Sequence, residues 1–128
     1  MCKRLFLLTS FVLMLGSVSN AADIQWTDLG ADHLWSTPAN WDLGRVPTLA
    51  DDVRIDVPAA AAPNGPVIHD GIAAEAHGVF TEAPGEPTLT MTGGSLVVAD
   101  WIWWGDGAGS HGTFSMSGGT ITVGAEHE

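Results

Sequence analysis

Apolar and hydroxyl-bearing residues alternate along the last third of this chain, and the alternation recurs after 25 residues. The stretch 88–98 (TLTMTGGSLVV) is answered by 113–123 (TFSMSGGTITV), with the Gly-Gly pair in register. A period of two predicts strands whose apolar side chains share one face. The side chains predicted to point inward are Leu89, Met91, Leu96 and Val98 in the first copy, and Phe114, Met116, Ile121 and Val123 in the second.

A repeat of this length predicts stacked units, each burying its apolar face against the next. We therefore expect an all-β chain that forms a right-handed parallel β-helix (β-solenoid) with rungs of ~25 residues. The glycine-rich stretch 105–112 is the expected corner of a rung. Gly93-Gly94 between alternating runs is also a hairpin signal, which leaves an antiparallel β-sandwich as the alternative.

The chain upstream of these repeats divides into two further zones. Residues 22–58 form a tryptophan-rich segment that we expect to cap the stack. Its end, 51–57, is expected to be a strand with Val53, Ile55 and Val57 inward. Residues 59–128 are the expected rungs, of which the poorest has the candidate strands Val67-Ile68 and Val79-Phe80.

The first residues are typical of a secretory signal peptide. Lys3 and Arg4 precede the mostly apolar run 5–15, and Ser19-Asn20-Ala21 supplies small residues at the positions that a signal peptidase reads. Residues 1–21 are therefore predicted to be removed, so that the mature chain is secreted or displayed at the cell surface and begins at Ala22. No second apolar run is long enough to span a membrane.

Charge and cysteine content exclude several functions. The net charge is −11, and removal of the signal would leave Arg45 and Arg54 as the only cations beside histidine. Such a surface predicts no binding to nucleic acid or anionic lipid, which both require basic side chains. The one cysteine, Cys2, lies in the predicted signal, so no disulfide or thiol chemistry is expected.

The order of motifs resembles a family of large bacterial surface proteins. Trp35-Ser36-Thr37-Pro38-Ala39-Asn40-Trp41, Gly44-Arg45-Val46-Pro47 and Asp51-Asp52-Val53-Arg54-Ile55 precede the T-L/F-x-M-[ST]-G-G repeats. In this order they are similar to the autotransporter-associated and PEP-CTERM-associated β-strand repeat proteins. The resemblance covers roughly residues 24–124 and implies a surface-displayed, adhesive β-solenoid. Glu126 falls where Trp101 stood one repeat earlier, so the chain resembles the N-terminal piece of a longer protein.

Patterns that would indicate catalysis or metal binding are weak. Asp51 and Asp52 are adjacent, so in a strand they face opposite sides, and we interpret them as a solvated strand start. The Gly105–Gly109 stretch offers one aspartate, too few oxygens for a calcium site, and we expect no metal or other cofactor. The histidines are scattered and are interpreted as solvated loop residues: His33, His69, His77, His111 and His127. The sequence thus predicts no enzyme activity.

Trp101 and Trp103 are the candidate binding residues. If Ile102 and Trp104 face inward, these two tryptophans face outward, ~6.6–6.8 Å apart along one strand, where they could stack on the sugar rings of a polysaccharide. The competing interpretation is that other parts of the protein cover the two tryptophans. A bulge at Ala99-Asp100 would also exchange the two faces of the strand and place Trp101 and Trp103 in the core.

Three functions remain from the sequence. The first is a secreted, non-catalytic structural or adhesive segment of a bacterial cell-surface or extracellular protein, with a surface matrix as partner. The second is a carbohydrate-binding module that uses Trp101 and Trp103. The third is the N-terminal part of a polysaccharide-degrading β-helix enzyme whose active site lies beyond residue 128. Self-association through the open edge of the stack is a further expectation.

Overall fold

The computed structural model describes residues 20–56, 59–61, 63–105 and 107–124. The predicted signal segment up to residue 19, Val57, Asp106 and the last four residues, with Glu126 and His127, lie outside the described residues. The strands are β1 (Ala22–Gln25), β2 (Asp51–Arg54), β3 (Val67–Ile68), β4 (Ala73–Phe80), β5 (Thr88–Trp103) and β6 (Thr113–Val123). One short 3₁₀ helix, Pro38–Asn40, interrupts the first long loop, and the described residues contain no α-helix.

The strands form a parallel β-solenoid of about four turns. All pairings between the six strands are parallel, and the last two strands follow the predicted register. The predicted partners stack as pairs: Leu89 with Phe114, Met91 with Met116, Leu96 with Ile121, and Val98 with Val123. The β-solenoid prediction is confirmed, and the residues that flank Gly93-Gly94 pair with the next coil instead of forming a hairpin.

Strand β5 contributes to three faces of the solenoid. Its residues 88–92 form the first face, with β3 and the start of β6, and its residues 95–98 form the second, with the start of β4 and the end of β6. Residues 101–103 form the third face, which continues through the end of β4 to β2 and β1. The segment 22–58 therefore supplies strands to the third face as well as the tryptophan cluster described below.

The Gly-Gly pair marks the corner between the first and second faces. Gly94 and Gly119, one repeat apart, both have positive φ angles, +67° and +90°. A Cβ atom on Gly94 would lie 2.4 Å from the carbonyl oxygen of Ile72, and one on Gly119 would lie 2.6 Å from that of Gly93. Glycine is needed at this corner because the backbone is left-handed there and the neighbouring coil is close.

The core is a continuous column of apolar side chains inside the coils. Ile24, Val53 and Val79 occupy successive positions on the third face, and each is fully buried. Met91 and Leu96 are buried on the other two faces. Parallel in-register pairing thus places like side chains above one another, so that each coil buries the apolar face of the preceding coil.

Three tryptophans close the N-terminal end of this column. Trp41 packs edge-on against both Trp26 and Trp35, at ring-centroid distances of 5.0 and 4.9 Å. Its Nε1 donates to the carbonyl oxygen of Trp35 at 2.9 Å. The Asn40 side chain is also buried: it donates to Asp32 and to the Leu34 carbonyl, and accepts from the backbone N–H of Gly30. The W-x-x-x-x-N-W pattern thus encodes a packed and hydrogen-bonded loop.

The expectation that Asp51 and Asp52 form a solvated strand start is wrong for Asp51. The Asp51 side chain is buried, and its two oxygens accept hydrogen bonds from the Arg45 guanidinium at 2.6 Å each and from the backbone N–H of Thr48 at 2.8 Å. The hydrogen bonds from Arg45 are the main reason that the pKa of Asp51 is lowered from 3.8 to about 2, against an opposing effect of burial. The pair fixes the loop that leads into β2.

This ion pair predicts a specific acid sensitivity. Because the pKa of Asp51 is lower in the folded chain than in the unfolded chain, its contribution is present above about pH 4 and is lost as the pH falls towards 2. We expect Asp51→Asn to lower the free energy of unfolding at pH 7 by about 2 kcal/mol and to flatten its decline between about pH 4 and 2. Urea unfolding at a series of pH values measures both effects.

The control is Asp70→Asn, which removes the same charge from an exposed loop. This variant should follow the wild-type pH profile. A profile for Asp51→Asn that remains parallel to the wild type down to pH 2 would contradict the assignment.

Candidate functional site: an aromatic cluster on the third face

The outer side of the third face carries two columns of side chains. One column runs through Gln25, Arg54, Phe80 and Trp103, and the other through Asp23, Asp52, Gly78 and Trp101. The columns follow from the parallel register, which places each residue beside its counterpart in the next coil. The polar residues of the first two coils thus give way to Phe80 and Gly78 in the third and to two tryptophans in the last.

Trp101 lies over a glycine of the neighbouring strand. A Cβ atom on Gly78 would lie 2.6 Å from two atoms of the Trp101 indole, so only glycine leaves room for the ring. The ring also contacts Phe80, with centroids 5.7 Å apart. Trp101 is consequently half-buried, because one side of its ring lies against β4.

Trp103 stacks against Trp101 and is the outermost ring of the cluster. Their centroids are 4.8 Å apart and their planes are inclined by 33°. Two aromatic rings this close must overlap in part, because rings side by side in one plane would be held farther apart by their own width. The two indoles therefore form a stacked pair in which Trp103, 56% exposed, is the ring available to a ligand.

Ile102 in β5 and Trp104 just after its end face the interior, as the alternation predicts. Ile102 and Trp104 line an apolar cavity of about 290 Å³, together with Val79, Leu89, Phe114 and Ile121. A register shift does occur next to Ala99 and Asp100, where four residues from Val98 to Trp101 span the same length as three residues of β4. Even so, Trp101 and Trp103 remain on the outer side.

Arg54 borders the aromatic cluster but is already engaged. Its guanidinium lies 5.1 Å from the centre of the Phe80 ring, a cation–π distance. Its nitrogens are also 3.7 Å from an oxygen of Asp56 and 3.6 Å from one of Glu82. The Asp56 carboxylate accepts from the backbone N–H of Glu82 as well, at 3.0 Å. Arg54 therefore lies close to two carboxylates and one aromatic ring, although its Nε has no hydrogen-bond partner among the described residues.

A histidine–aspartate pair lies on the same face. His77 is in strand β4, not in a loop, and its Nδ1 donates to Asp52 Oδ1 at 2.8 Å. The register partner of Asp52 is Gly78, so His77 reaches Asp52 from the adjacent position of β4, and the repeat pattern gave no signal for this contact. Asp51 and Asp52 do face different partners, as expected. Within the described residues, no further side chain is hydrogen-bonded to His77, and the pair can accept or donate hydrogen bonds at the edge of the cluster.

The remaining histidines do not gather around this face. His33 pairs with Asp28 at 2.9 Å in the loop after β1, and His69 and His111 are exposed. Across the described ranges, no three metal-ligating side chains come together as a metal site. A helix with the length and apolar character needed to cross a membrane is not found in the part of the chain that the structure describes.

Comparison with known proteins identifies no relative of this chain. No protein family matches the sequence, no curated protein resembles it significantly, and no solved structure matches the fold significantly. The site must therefore be interpreted from its own geometry.

The stacking geometry predicts different roles for the two outer tryptophans. Trp103→Ala should change the free energy of unfolding by less than about 1 kcal/mol, because the ring is largely exposed. Trp101→Ala should cost about 2 kcal/mol, since its ring covers Gly78 and contacts Phe80. Gly78→Val should displace the Trp101 ring. All three variants should lose the exciton signal of the stacked indoles in circular dichroism. A larger loss of stability for Trp103→Ala than for Trp101→Ala would contradict this arrangement.

Proposed function

We propose that this chain is a non-catalytic structural or adhesive β-solenoid segment of a bacterial protein that is exported to the cell surface or the extracellular space. The observation that carries the proposal is the exposed Trp103 ring, stacked on Trp101 and fixed to a column of coils. Export is inferred from the signal-like residues 1–21. The resemblance to autotransporter-associated and PEP-CTERM-associated repeat proteins supports the same interpretation.

The engagement of the basic side chains supports a non-catalytic role. β-Helix enzymes that cleave polysaccharides rely on basic residues and carboxylates grouped on one outer face. Here Arg45 is bound by Asp51, and Arg54 lies between Asp56 and Glu82. Both arginines of the described residues thus lie beside carboxylates of the chain itself.

The second candidate, carbohydrate binding, is favoured by the exposure of Trp103. The face of an indole ring is an apolar surface on which the C–H groups of a sugar ring can pack. Nearby carboxylates can accept hydrogen bonds from the sugar hydroxyls. Asp52 and Glu82 lie on this face or at its border. The acidic chain favours neutral polysaccharides over those that carry uronates or sulfates, because a net charge of −11 repels anions.

Retention on insoluble polysaccharides tests the adhesive role. The chain is mixed with cellulose, chitin or xylan, and the protein that remains in solution is measured. We expect at least one of these neutral polymers to retain it, and Trp103→Ala to weaken retention by at least about fivefold, the equivalent of about 1 kcal/mol of stacking. Trp103→Phe should keep part of the retention because it remains aromatic.

Leu29→Ala is the matched control, since it removes an exposed apolar side chain far along the sequence from the cluster. It should bind as the wild type does. Equal retention of the wild type and Trp103→Ala, with unchanged stability of both, would contradict a role for the cluster in adhesion.

A further inference from the structure

The Arg54 guanidinium lies close to two carboxylates but is within hydrogen-bond length of neither. Its Nε is 3.7 Å from an Asp56 oxygen, and its Nη2 is 3.6 Å from a Glu82 oxygen. Nε is buried and has no partner among the described residues. A guanidinium carries five N–H donors, and this side chain is 35% exposed. The charge of Arg54 is therefore balanced, while donors remain for a ligand.

The residues around this guanidinium hold it in one place. It lies 5.1 Å from the centre of the Phe80 ring, which is only 6% exposed although it belongs to an outer column. Asp56 is buried and fixed, because its Oδ1 accepts from the backbone N–H groups of Glu82 and Ala83 at 3.0 and 3.2 Å. The Glu82 carboxylate, in contrast, is 58% exposed. A fixed planar donor thus lies beside an exposed acceptor.

Arg54 and Glu82 lie in the middle of the stack, on the same side as Trp103. Arg54 belongs to the second coil and Glu82 follows the end of β4 in the third, so a further coil lies on both sides of this pair. Their exposure is therefore independent of either end of the chain. Arg54, Phe80 and Trp103 are successive register partners, which places the backbones of Arg54 and Trp103 two strand spacings apart, ~9.4–9.8 Å. Linked sugar rings can bridge this separation.

The stacked indoles determine the direction in which a ligand extends. Trp101 and Trp103 overlap, with centroids 4.8 Å apart, so they do not form a flat platform along their strand. The polar groups that follow Trp103 in the same outer column are those of Arg54 and then Gln25. The column thus leads a chain of sugars across the coils, parallel to the axis of the solenoid.

We propose that Arg54 and Glu82 form a second sugar subsite, which binds two neighbouring hydroxyls of a neutral polysaccharide while another ring of the same chain rests on Trp103. One hydroxyl accepts from the guanidinium, and the next donates to the Glu82 carboxylate. The inference rests on the carbohydrate binding proposed above and adds to it the direction and the chemistry of the ligand. A uronate or sulfate in place of the hydroxyls would face Asp56 and Glu82, so the subsite selects uncharged chains.

Cellulose and chitin distinguish this subsite from stacking alone. Cellulose has free hydroxyls on two neighbouring ring carbons, whereas in chitin an acetamido group replaces one of them and the ring for stacking is kept. We expect Arg54→Met to weaken retention on cellulose at least ~10-fold, because the charged donors are lost while the unbranched side chain still covers Phe80. Glu82→Ala should weaken it at least ~3-fold. Neither variant should change retention on chitin.

The matched controls make the same changes of charge away from the subsite. Ser36→Asp, at an exposed loop position, makes the chain more acidic by the same amount as Arg54→Met, and Glu86→Ala matches Glu82→Ala. Both controls should be retained as the wild type is. Urea unfolding establishes that all four variants are folded, so that retention reports on binding.

The outcomes separate this inference from the proposed function. Unchanged retention of Arg54→Met and Glu82→Ala on cellulose that Trp103→Ala no longer binds would overturn the subsite and leave carbohydrate binding standing. An equal loss on cellulose and chitin would show that Arg54 acts on the packing of the cluster and not on hydroxyls. Retention of the wild type by chitin alone would also contradict the subsite. A wild type that binds no polymer would remove the proposed carbohydrate binding together with this inference.

Discussion

Parallel, in-register stacking of successive coils is the constraint on which the rest of this structure depends. Each strand must present an apolar residue to the interior at the position where its neighbour does, and the columns through Val53 and Val79 or through Met91 and Met116 are the result. The same constraint fixes the corners. Gly94 and Gly119 recur because each corner lies directly against the backbone of the coil before it.

Stacking also determines what appears on the outside. Because every outer residue lies beside its register partner, the third face changes along one column from Asp23 and Asp52 to Gly78 and Trp101. The missing side chain of Gly78 gives Trp101 a place to lie, and Trp101 in turn supports Trp103. The exposed indole is thus held by a rigid sheet, the condition under which a flat aromatic ring binds with little loss of side-chain entropy.

The sequence predicted the parts of the fold in which the period is constant. Thr88–Val123 repeats at 25 residues, so its strand pairs and the outward positions of Trp101 and Trp103 could be assigned from alternation. For the earlier coils the sequence predicted candidate strands, Val67-Ile68 and Val79-Phe80, but not their register, because the spacing there varies. Gln25 and Arg54 are 29 residues apart, Arg54 and Phe80 are 26, and Phe80 and Trp103 are 23. Alternation also does not predict the burial of Asp51, which depends on its ion pair with Arg45. Nor does it predict the overlap of the two indoles, which depends on side-chain torsions.

Disulfide trapping tests the stacked register most directly, since the chain has no cysteine beyond Cys2. Thr90 and Ser115 are register partners on adjacent parallel strands, close enough for a disulfide, whereas Thr90 and Val97 would face each other only in a hairpin across Gly93-Gly94. Under mild oxidation at low concentration, the signal-free chain with Thr90→Cys and Ser115→Cys should form an intramolecular disulfide, detected by mass spectrometry. The chain with Thr90→Cys and Val97→Cys should not. The reverse result would contradict the β-solenoid.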